Sequence, residues 1–325
     1  MNEELCRYGY DEIIDFYVQE CNLDGELGRV VKVVKGLFKV QTANSKVDCI
    51  ILNKMYMYDD IPTIGDWVLI NENIIVKILP RKNKLERKVV DRRVTNQVIA
   101  ANIDSAVVFM PSDNVNEKLL YSILTFTKNF PTILIFTKND LNDINTKYWQ
   151  NKFPDIDIMS LSSITGANIN KFQLLLTNYK TSIFIGQSGA GKSTLLNTLI
   201  GEEVMKTKEV NSKSNLGKHT TTHSELFNIG EFNIIDIPGM RTFINWVEND
   251  ESTFFNEIIK LSKKCKYRDC THKDEDGCYV KNNVSELLLK EYHKYIDTQM
   301  YFNSKVNKSE KIKYSKKMKK IYKRR

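Results

Sequence analysis

The sequence predicts a multidomain α/β protein with a small N-terminal β-barrel, a central domain of alternating strands and helices, and a short C-terminal domain. Three observations support this prediction. Short β-rich runs separated by turn residues occupy positions 28–79, strand-like and helix-like segments alternate over 105–236, and cysteine and histidine residues cluster at 265–278. With 325 residues, of which 42% are hydrophobic, the chain has room for two or three packed cores.

Five β-rich runs form the first part of the chain. They cover residues 28–34, 37–41, 47–52, 65–70 and 74–79. Short strands at this spacing indicate a small closed barrel, and they leave both an oligonucleotide-binding (OB) topology and an SH3-like topology open. The basic stretch 81–88 that follows is interpreted as a solvated linker, with contact to RNA as the alternative.

The central segments alternate between the two periodicities of strands and helices. The expected strands are 105–109, 132–136, 156–159, 181–185 and 232–235, and the expected helices are 117–128, 143–150, 169–178 and a segment opening at Ser193. Alternation of this kind predicts a mostly parallel sheet covered by helices on both faces.

A glycine-rich segment with the pattern GxxxxGK[ST] lies between an expected strand and an expected helix. It consists of Gly186, Gln187, Ser188, Gly189, Ala190, Gly191, Lys192, Ser193 and Thr194. Glycines let successive backbone N–H groups surround phosphates, the lysine supplies charge to the β and γ oxygens, and the serine hydroxyl binds Mg²⁺. Because strand, loop and helix occur in this order, a nucleotide phosphate loop is favoured over an ordinary glycine-rich turn.

Asp236, Ile237, Pro238 and Gly239 follow the expected strand 232–235. Ligands of open α/β sheets bind at the carboxyl ends of strands, where this position places Asp236. We expect Asp236 to hold Mg²⁺ through water and the Gly239 N–H to meet a γ-phosphate. In isolation a DxPG segment is an ordinary turn, and its place after a phosphate loop favours the nucleotide role.

A TKxD pattern formed by Thr137, Lys138 and Asp140 follows another expected strand. A carboxylate at Asp140 accepts hydrogen bonds from guanine N1–H and the 2-amino group, which adenine lacks, so GTP is predicted over ATP. The Lys138 stem is expected along the base plane, and the loop containing Ser162 and Ser163 is similar to loops that contact guanine O6. Thr137 stands where such a motif usually has asparagine.

The order of these motifs differs from that of an ordinary guanine-nucleotide switch, in which the phosphate loop comes first and the base-reading motif near the end. Here the TKxD motif comes first, then the Ser162 loop, the phosphate loop, the threonines at 220–222, and Asp236. This order predicts a circularly permuted GTPase, in which the sheet is kept while the chain ends move.

Three cysteines and one histidine lie within 14 residues near the C-terminus: Cys265, Cys270, His272 and Cys278. A Cys3His set at close spacing is typical of one structural Zn²⁺ that holds a loop with little core of its own. All four positions are filled by protein ligands, so a structural rather than a catalytic zinc is expected. Cys6, Cys21 and Cys49 are scattered and are interpreted as reduced, non-ligand residues.

Taken together, the chain resembles the circularly permuted, small-ribosomal-subunit-dependent GTPases of the RsgA/YjeQ type. The matching segments are 100–104, 137–141, 162–166, 186–194, 217–223, 236–239 and 265–278. The resemblance implies an OB-fold RNA-binding domain with an N-terminal extension at 1–86, a circularly permuted phosphate-loop GTPase domain at 87–247, and a zinc-binding domain with a helical basic tail at 248–325. It also implies a monomer that binds the small subunit and its rRNA, hydrolyses GTP to GDP and phosphate when the subunit stimulates it, and assists late subunit maturation.

The catalytic residues are expected in the loops after the phosphate loop. By the family pattern Thr221 is a Mg²⁺ ligand. Many GTPases orient the attacking water with glutamine directly after the DxxG glycine, but this chain has Met240 there. His219 is the nearest replacement, because imidazole orients or deprotonates water near neutral pH. Contact with rRNA and simple packing remain open as alternative roles for His219.

Charge is concentrated at the C-terminus. Residues 305–325 contain eleven basic residues and one acid, giving +10 against +8 for the whole chain. The rest of the chain therefore carries about −2, and the tail is expected to add salt-dependent affinity for a phosphate backbone. No apolar run approaches the roughly 18 residues that span a bilayer, so we expect a cytoplasmic protein with no membrane partner.

Two other functions fit the same motifs. One is a nucleotide-gated RNA-binding adaptor with little hydrolysis of its own, and the other is a phosphate-loop ATPase acting on other nucleic acid. A preference for GTP over ATP distinguishes the GTPase from the ATPase. GTP turnover with and without small subunits distinguishes the subunit-stimulated GTPase from the adaptor.

Overall fold

The computed structural model divides into two compact units. The first comprises Met1–Leu85, Val98–Val115 and Asn129–Arg241, and the second comprises Glu86–Gln97, Asn116–Lys128 and Thr242–Arg325. Within these units the structure describes residues 2–20, 24–34, 36–52, 55, 61–90, 94–201, 224–237, 255–267, 269–273, 275–286, 288–290, 292–293 and 296–297.

Thirteen strands and eight helices are described in this part of the chain. The strands are β1 Glu26–Val34, β2 Leu37–Thr42, β3 Lys46–Ile51, β4 Trp67–Asn71, β5 Ile74–Ile78, β6 Lys84–Val90, β7 Val94–Ala101, β8 Ser105–Pro111, β9 Thr132–Thr137, β10 Asp157–Ser160, β11 Thr181–Gly186, β12 Ser224–Ile229 and β13 Phe232–Asp236. The helices are α1 Glu3–Arg7, α2 Glu12–Glu20, α3 Glu117–Phe126, α4 Thr146–Lys152, α5 Ile169–Leu176, α6 Lys192–Ile200, α7 Asn256–Ser262 and α8 Tyr279–Asn283.

The first five strands close into a barrel, as predicted. β1 pairs antiparallel with β2 and with β4, β2 with β3, and β4 with β5, while β3 and β5 are parallel. Fully buried apolar side chains fill the interior, among them Val30, Phe38, Val40, Val68 and Ile75. Because strands β1 and β4 meet, the barrel edges satisfy each other's backbone groups.

The central sheet is mostly parallel, also as predicted. Parallel pairs join β10 to β9, β9 to β8, β8 to β11 and β11 to β13, and β12 lies antiparallel to β13. The chain builds outward from β8 to β10 and then returns to place β11 on the other side of β8. The point where strand order reverses is where open α/β sheets bind ligands, and the phosphate loop follows β11 there.

Helices cover both faces of the central sheet in the first unit. On one face, Phe172 of α5 and Leu195 of α6 pack with strand residues such as Phe184 in one buried core. Side chains one position out of step along a strand point to the other face. There Phe136 of β9 contacts Trp149 of α4, with ring centroids 5.3 Å apart.

The barrel and the central sheet share a strand pairing that the sequence did not indicate. β1 pairs antiparallel with β12, with Lys32 opposite Glu225 and Val33 opposite Ser224. The Lys32 Nζ lies 2.8 Å from Glu225 Oε2. The eleven strands from β10 to β4 therefore form one continuous sheet in the first unit.

A buried arginine completes this junction. The Arg29 guanidinium is 1% exposed and donates hydrogen bonds to the carbonyl oxygens of Tyr8, Gly65 and Asn102 and to Thr181 Oγ1. Burial lowers the pKa of Arg29 to about 10, which still leaves it charged at neutral pH. Since Thr181 begins the strand that leads to the phosphate loop, β1 contacts that strand directly.

The interpretation of 81–88 as a solvated linker is wrong. Arg81 makes two 2.7 Å contacts with the carboxylate of Asp66, whose side chain is fully buried, and Lys82 Nζ lies 2.6 Å from Asp11 Oδ2. From Lys84 the chain continues as β6, which pairs with β7 in a two-stranded sheet. The charges of this stretch serve long-range ion pairs, which a local charge pattern does not reveal.

The C-terminal part of the second unit contains α7 and α8 with the cysteine-rich loops between them. Phe255, Ile258, Val280, Leu288 and Leu289 are buried there. Among the described helices, none is long and apolar enough to cross a membrane.

Candidate nucleotide site and metal centre

The phosphate loop has the backbone that its glycines predict. Strand β11 ends at Gly186 and α6 begins at Lys192, so the loop turns directly into the helix. Gly189 and Gly191 adopt φ of +79° and +83°, a region that L side chains rarely occupy. A Cβ at Gly186 would lie 2.7 Å from the Phe109 carbonyl oxygen, so the parallel strands β8 and β11 approach closely only because glycine is present.

The lysine of the loop is oriented by backbone carbonyls. Lys192 Nζ donates to the oxygens of Gly186 at 2.7 Å and Gln187 at 3.0 Å. Burial lowers the pKa of Lys192, and the nearby charge of Asp236 opposes that shift. The ammonium therefore stays close to the loop and to the end of β13.

Asp236 ends β13 beside the phosphate-loop strand, as the sequence predicts. It lies opposite Phe184 of β11 in the parallel register and is 5% exposed. Ser193 is in the first turn of α6. The structure thus brings a buried carboxylate, an ammonium and a hydroxyl-bearing helix start to one edge of the sheet.

Thr137 links the base-reading motif to the phosphate loop. Its Oγ1 donates a 2.8 Å hydrogen bond to the carbonyl oxygen of Ala190, and its side chain is 2% exposed. A Cβ built at Gly191 would lie 3.5 Å from Thr137 Cβ, so the two segments pass close to each other. The shorter side chain at this position still reaches the loop.

Asp140 and the Ser162 loop also lie together. Ser162 Oγ donates to Asp140 Oδ1 and accepts from the backbone N–H groups of Ile164 and Thr165, both at 3.2 Å. Ser162 is buried and Asp140 is exposed, so the buried hydroxyl fixes a carboxylate that faces solvent. Ser163 follows and is half-buried.

Lys138 lies between these segments in a left-handed backbone conformation, with φ of +59°. Its Nζ is 3.5 Å from Asp113 Oδ2. Asp113 and Ser112 were missed by the sequence analysis, although they directly follow β8 at the sheet edge where ligands gather. Ser112 N donates to the Thr137 carbonyl at 2.8 Å, which connects the ends of β8 and β9.

Three predicted catalytic positions, His219, Thr221 and Gly239, lie outside the described residues, as does Met240. Their roles remain predictions from the sequence.

The four predicted metal ligands converge. The ligand atoms of Cys265, Cys270, His272 and Cys278 all lie within 4.8 Å of one another. His272 Nδ1 is 3.7 Å from Cys265 Sγ and 3.5 Å from Cys278 Sγ. Edges of a tetrahedral zinc site with sulfur and nitrogen ligands are roughly 3.5–3.8 Å, so this set fits one Zn²⁺.

The loop around the cluster is shaped for ligation. His272 adopts φ of +62°, and burial lowers its pKa, which favours the neutral imidazole that binds metal. The Glu275 carboxylate accepts from the backbone N–H groups of Thr271 at 2.7 Å and Lys273 at 3.1 Å. Hydrogen bonds from Thr271 lower the pKa of Glu275 to about 2. This carboxylate therefore holds the turn that presents the histidine.

Comparisons with a family model and with related proteins identify the same family. The model of the RsgA GTPase family matches residues 78–246. A protein of Oceanobacillus iheyensis named small ribosomal subunit biogenesis GTPase RsgA 1 is 33% identical over 94% of this chain and 95% of its own length. A protein of the same name from Listeria innocua is 30% identical over 93% of this chain and 91% of its own.

Two solved structures have a similar fold. YjeQ from Thermotoga maritima superposes with a TM-score of 0.56 at 22% identity, covering 85% of this chain and 98% of that one. YloQ, described as a circularly permuted GTPase, has a TM-score of 0.54 at 20% identity, covering 87% and 97%. The permuted motif order, the strand order and these matches agree, and the chain belongs to the RsgA GTPase family.

Proposed function

We propose that this protein is a GTPase that binds the small ribosomal subunit, hydrolyses GTP to GDP and phosphate in a subunit-stimulated way, and assists late maturation of that subunit. Its relatives over nearly the whole chain are named small ribosomal subunit biogenesis GTPases. The observation that carries the proposal is the contact between two segments. The TKxD segment, which contains Asp140, is joined to the phosphate loop by the Thr137–Ala190 hydrogen bond.

Guanine selection is assigned to Asp140. Its carboxylate is held by Ser162 and is exposed, so it is oriented to accept from two donors on a guanine edge. Adenine offers an acceptor at N1 and no 2-amino group, so it leaves the carboxylate unpaired. Lys138 and Ser163 complete the base site in this proposal.

Binding of the nucleotide phosphates is assigned to the backbone N–H groups of residues 186–194, and Lys192 neutralises the β and γ oxygens. Ser193 and Asp236 fit Mg²⁺, since one offers a hydroxyl at a helix start and the other a buried carboxylate beside it. Thr221 is the third proposed ligand. When bound, the ion neutralises charge on the β and γ oxygens.

Water activation is assigned to His219, with Gly239 contributing its N–H to the γ-phosphate. Met240 has no side-chain donor or acceptor for water, so hydrolysis needs another group. An imidazole near neutral pH provides one. Turnover by the free protein is therefore expected to be slow.

The Cys265, Cys270, His272 and Cys278 cluster is assigned to one structural Zn²⁺. All four positions are protein ligands, which leaves no open site for substrate. Elemental analysis should find about one zinc per chain. Cys270→Ser should remove it and destabilise the C-terminal part while GTP binding stays nearly intact.

The barrel and the C-terminal part are assigned to rRNA. An OB fold is a five-stranded Greek-key barrel that binds oligonucleotides, and the closure of β1 on β4 with β3 parallel to β5 supports that topology here. The corresponding domain boundaries are 1–86, 87–247 and 248–325. The basic tail adds further phosphate contacts, and the protein is proposed to act as a cytoplasmic monomer.

The proposal is tested by GTP turnover measured against increasing concentrations of small or large ribosomal subunits. We expect strong stimulation by small subunits and none by large ones, because activating partners supply up to about 10³- to 10⁵-fold in related systems. His219→Ala should lower the stimulated rate more than it weakens GTP binding. GTP turnover that small subunits leave unchanged at low salt would contradict the proposed function. A stimulated rate of His219→Ala equal to that of the wild type would contradict only the catalytic role of His219.

A further inference from the structure

Two exposed tyrosines flank the metal cluster. Tyr267 is 44% exposed and lies two residues after Cys265, while Tyr279 is 37% exposed and directly follows Cys278. Aromatic rings of this size usually bury most of their surface in a core. Both rings lie within two residues of a predicted cysteine ligand, and their exposed surface is available to contact another molecule.

Each ring is accompanied by a lysine. Lys266 Nζ lies 5.3 Å from the ring centroid of Tyr267, and Lys264 Nζ lies 5.2 Å from that of Tyr279. Both distances are within the range of a cation–π contact. The Lys264–Tyr279 contact joins the two ligand loops, since the lysine precedes Cys265 and the tyrosine follows Cys278.

The cluster holds the two loops in a fixed relation. A Cβ built at Gly277 would lie 3.5 Å from the Cβ and the Cδ of Lys266, so the two loops pass close to each other. The Cys278 Sγ accepts from the backbone N–H of Lys281 at 3.3 Å and caps α8, which begins with Tyr279. Both rings are therefore presented from preorganised backbone.

Residues 260–281, which contain both tyrosines, have seven basic and four acidic residues and are therefore net positive. Residues 260–266 contain four lysines, Lys260, Lys263, Lys264 and Lys266, and no acid, and all four are exposed. Of the acidic side chains described between Cys265 and Cys278, Glu275 accepts hydrogen bonds from Thr271, while Asp269 and Asp276 are exposed. A polyanion that also offers flat rings would match this arrangement.

We propose that Tyr267 and Tyr279 stack on unpaired RNA bases while Lys264 and Lys266 contact the adjoining phosphates. This inference rests on the proposed function and assigns the second unit a preference for single-stranded RNA. Unpaired bases offer π-faces to aromatic side chains, whereas bases in an A-form duplex are already stacked and are recognised mainly through backbone and shape. Each lysine lies over one face of its ring, so the base stacks on the other face and the ammonium neutralises the adjoining phosphate.

The test uses the full-length, zinc-loaded protein and two fluorescent probes, a short unstructured RNA and the same strand annealed to its complement. Tyr267→Ala and Tyr279→Ala should each weaken binding to the single strand by about 5- to 100-fold, the range expected for loss of one stacked base. Binding to the duplex should change by less than about twofold. Tyr267→Phe and Tyr279→Phe keep the ring and should retain single-strand binding.

Salt dependence separates stacking from charge. The slope of log affinity against log salt should stay unchanged in the tyrosine variants, because no phosphate contact is removed. In Lys264→Gln and Lys266→Gln it should fall by about 0.7 for each lost contact with a single strand. Zinc content is measured for every variant, and if Tyr279→Ala loses its metal, Tyr267→Ala and the lysine variants decide the outcome.

Three results would overturn the inference. One is single-strand affinity of the alanine variants equal to that of the wild type, and another is an equal loss for single strand and duplex. The third is intact RNA binding with weakened binding to small subunits, which would assign the surface to a protein partner. Failure of small subunits to stimulate wild-type GTP turnover would overturn the proposed function instead. The oligonucleotide measurements would still show whether the two tyrosines bind single-stranded RNA.

Discussion

The Thr137 hydroxyl donates a 2.8 Å hydrogen bond to the carbonyl oxygen of Ala190, 53 residues away in the sequence. This contact joins the last residue of β9 to the loop after β11. Both strands end at the same edge of the sheet, because they run parallel to β8 between them. The fold thus brings together the predicted base-reading and phosphate-binding segments, which lie far apart in sequence.

Removal of that hydroxyl should weaken nucleotide binding. Thr137→Val keeps the shape of the side chain and loses the donor, leaving the Ala190 carbonyl without this bond. A net contribution of roughly 0.5–1.5 kcal/mol corresponds to about a twofold to twelvefold loss of affinity for GTP and GDP alike, measured by titration with fluorescent analogues. Thr137→Ser keeps the hydroxyl and should bind like the wild type. Equal affinity of the valine and serine variants would show that the bond does not support the site.

The Lys32–Glu225 pair should couple the barrel to the central sheet. Their side chains are each 27% exposed and their charged atoms 2.8 Å apart. Lys32→Glu and Glu225→Lys should each lower the free energy of unfolding, and the double reversal should recover about 0.5–1 kcal/mol of coupling, after allowance for solvent screening. Urea unfolding followed by tryptophan fluorescence measures this.

A matched control lies on the barrel surface. Lys39 and Asp48 are also paired at 2.9 Å, but the aspartate side chain is 72% exposed, so the same cycle should give coupling near zero. Equal coupling at both pairs would contradict a specific role for Lys32 and Glu225 at the junction.

Glu275 should stabilise the metal loop only while it is ionised. Its pKa in the folded protein is about 2, below the ordinary value of 4.5, so its contribution is fully present above about pH 4.5 and is lost as pH falls toward 2. Glu275→Gln should therefore lower the thermal stability of the second unit at neutral pH, and its difference from wild type should shrink below about pH 4.5.

Asp276→Asn makes the same type of change at the next residue, which is exposed, and should have little effect. Thermal unfolding between neutral pH and about pH 3, with zinc content measured at each point, checks both variants. A difference between Glu275→Gln and wild type that is constant with pH would contradict the assigned role.

Local motifs made much of the fold and the site predictable. The phosphate loop was predictable from Gly186, Gly191 and Lys192, because its chemistry needs these residue types at fixed spacing. The four predicted zinc ligands were recognisable because they are also of the required types and close in sequence. The pairing of β1 with β12 has no sequence motif of this kind. Two strands that are distant in sequence pair only when the fold places their edges side by side. The Arg81–Asp66 pair was missed for the same reason, because a basic stretch looks solvated until its distant partner is known.

Asp140 is proposed to select guanine in a site that the permuted motifs form together. The most direct test of this proposal is the affinity of wild type and Asp140→Asn for GTP, XTP and ATP, with Asp143→Asn as a control three residues away. Wild type and the control should prefer GTP by about 10²-fold or more, and Asp140→Asn should shift that preference to XTP, because an amide complements the xanthine edge. Equal affinity of the wild-type protein for GTP and ATP would contradict guanine selection by Asp140.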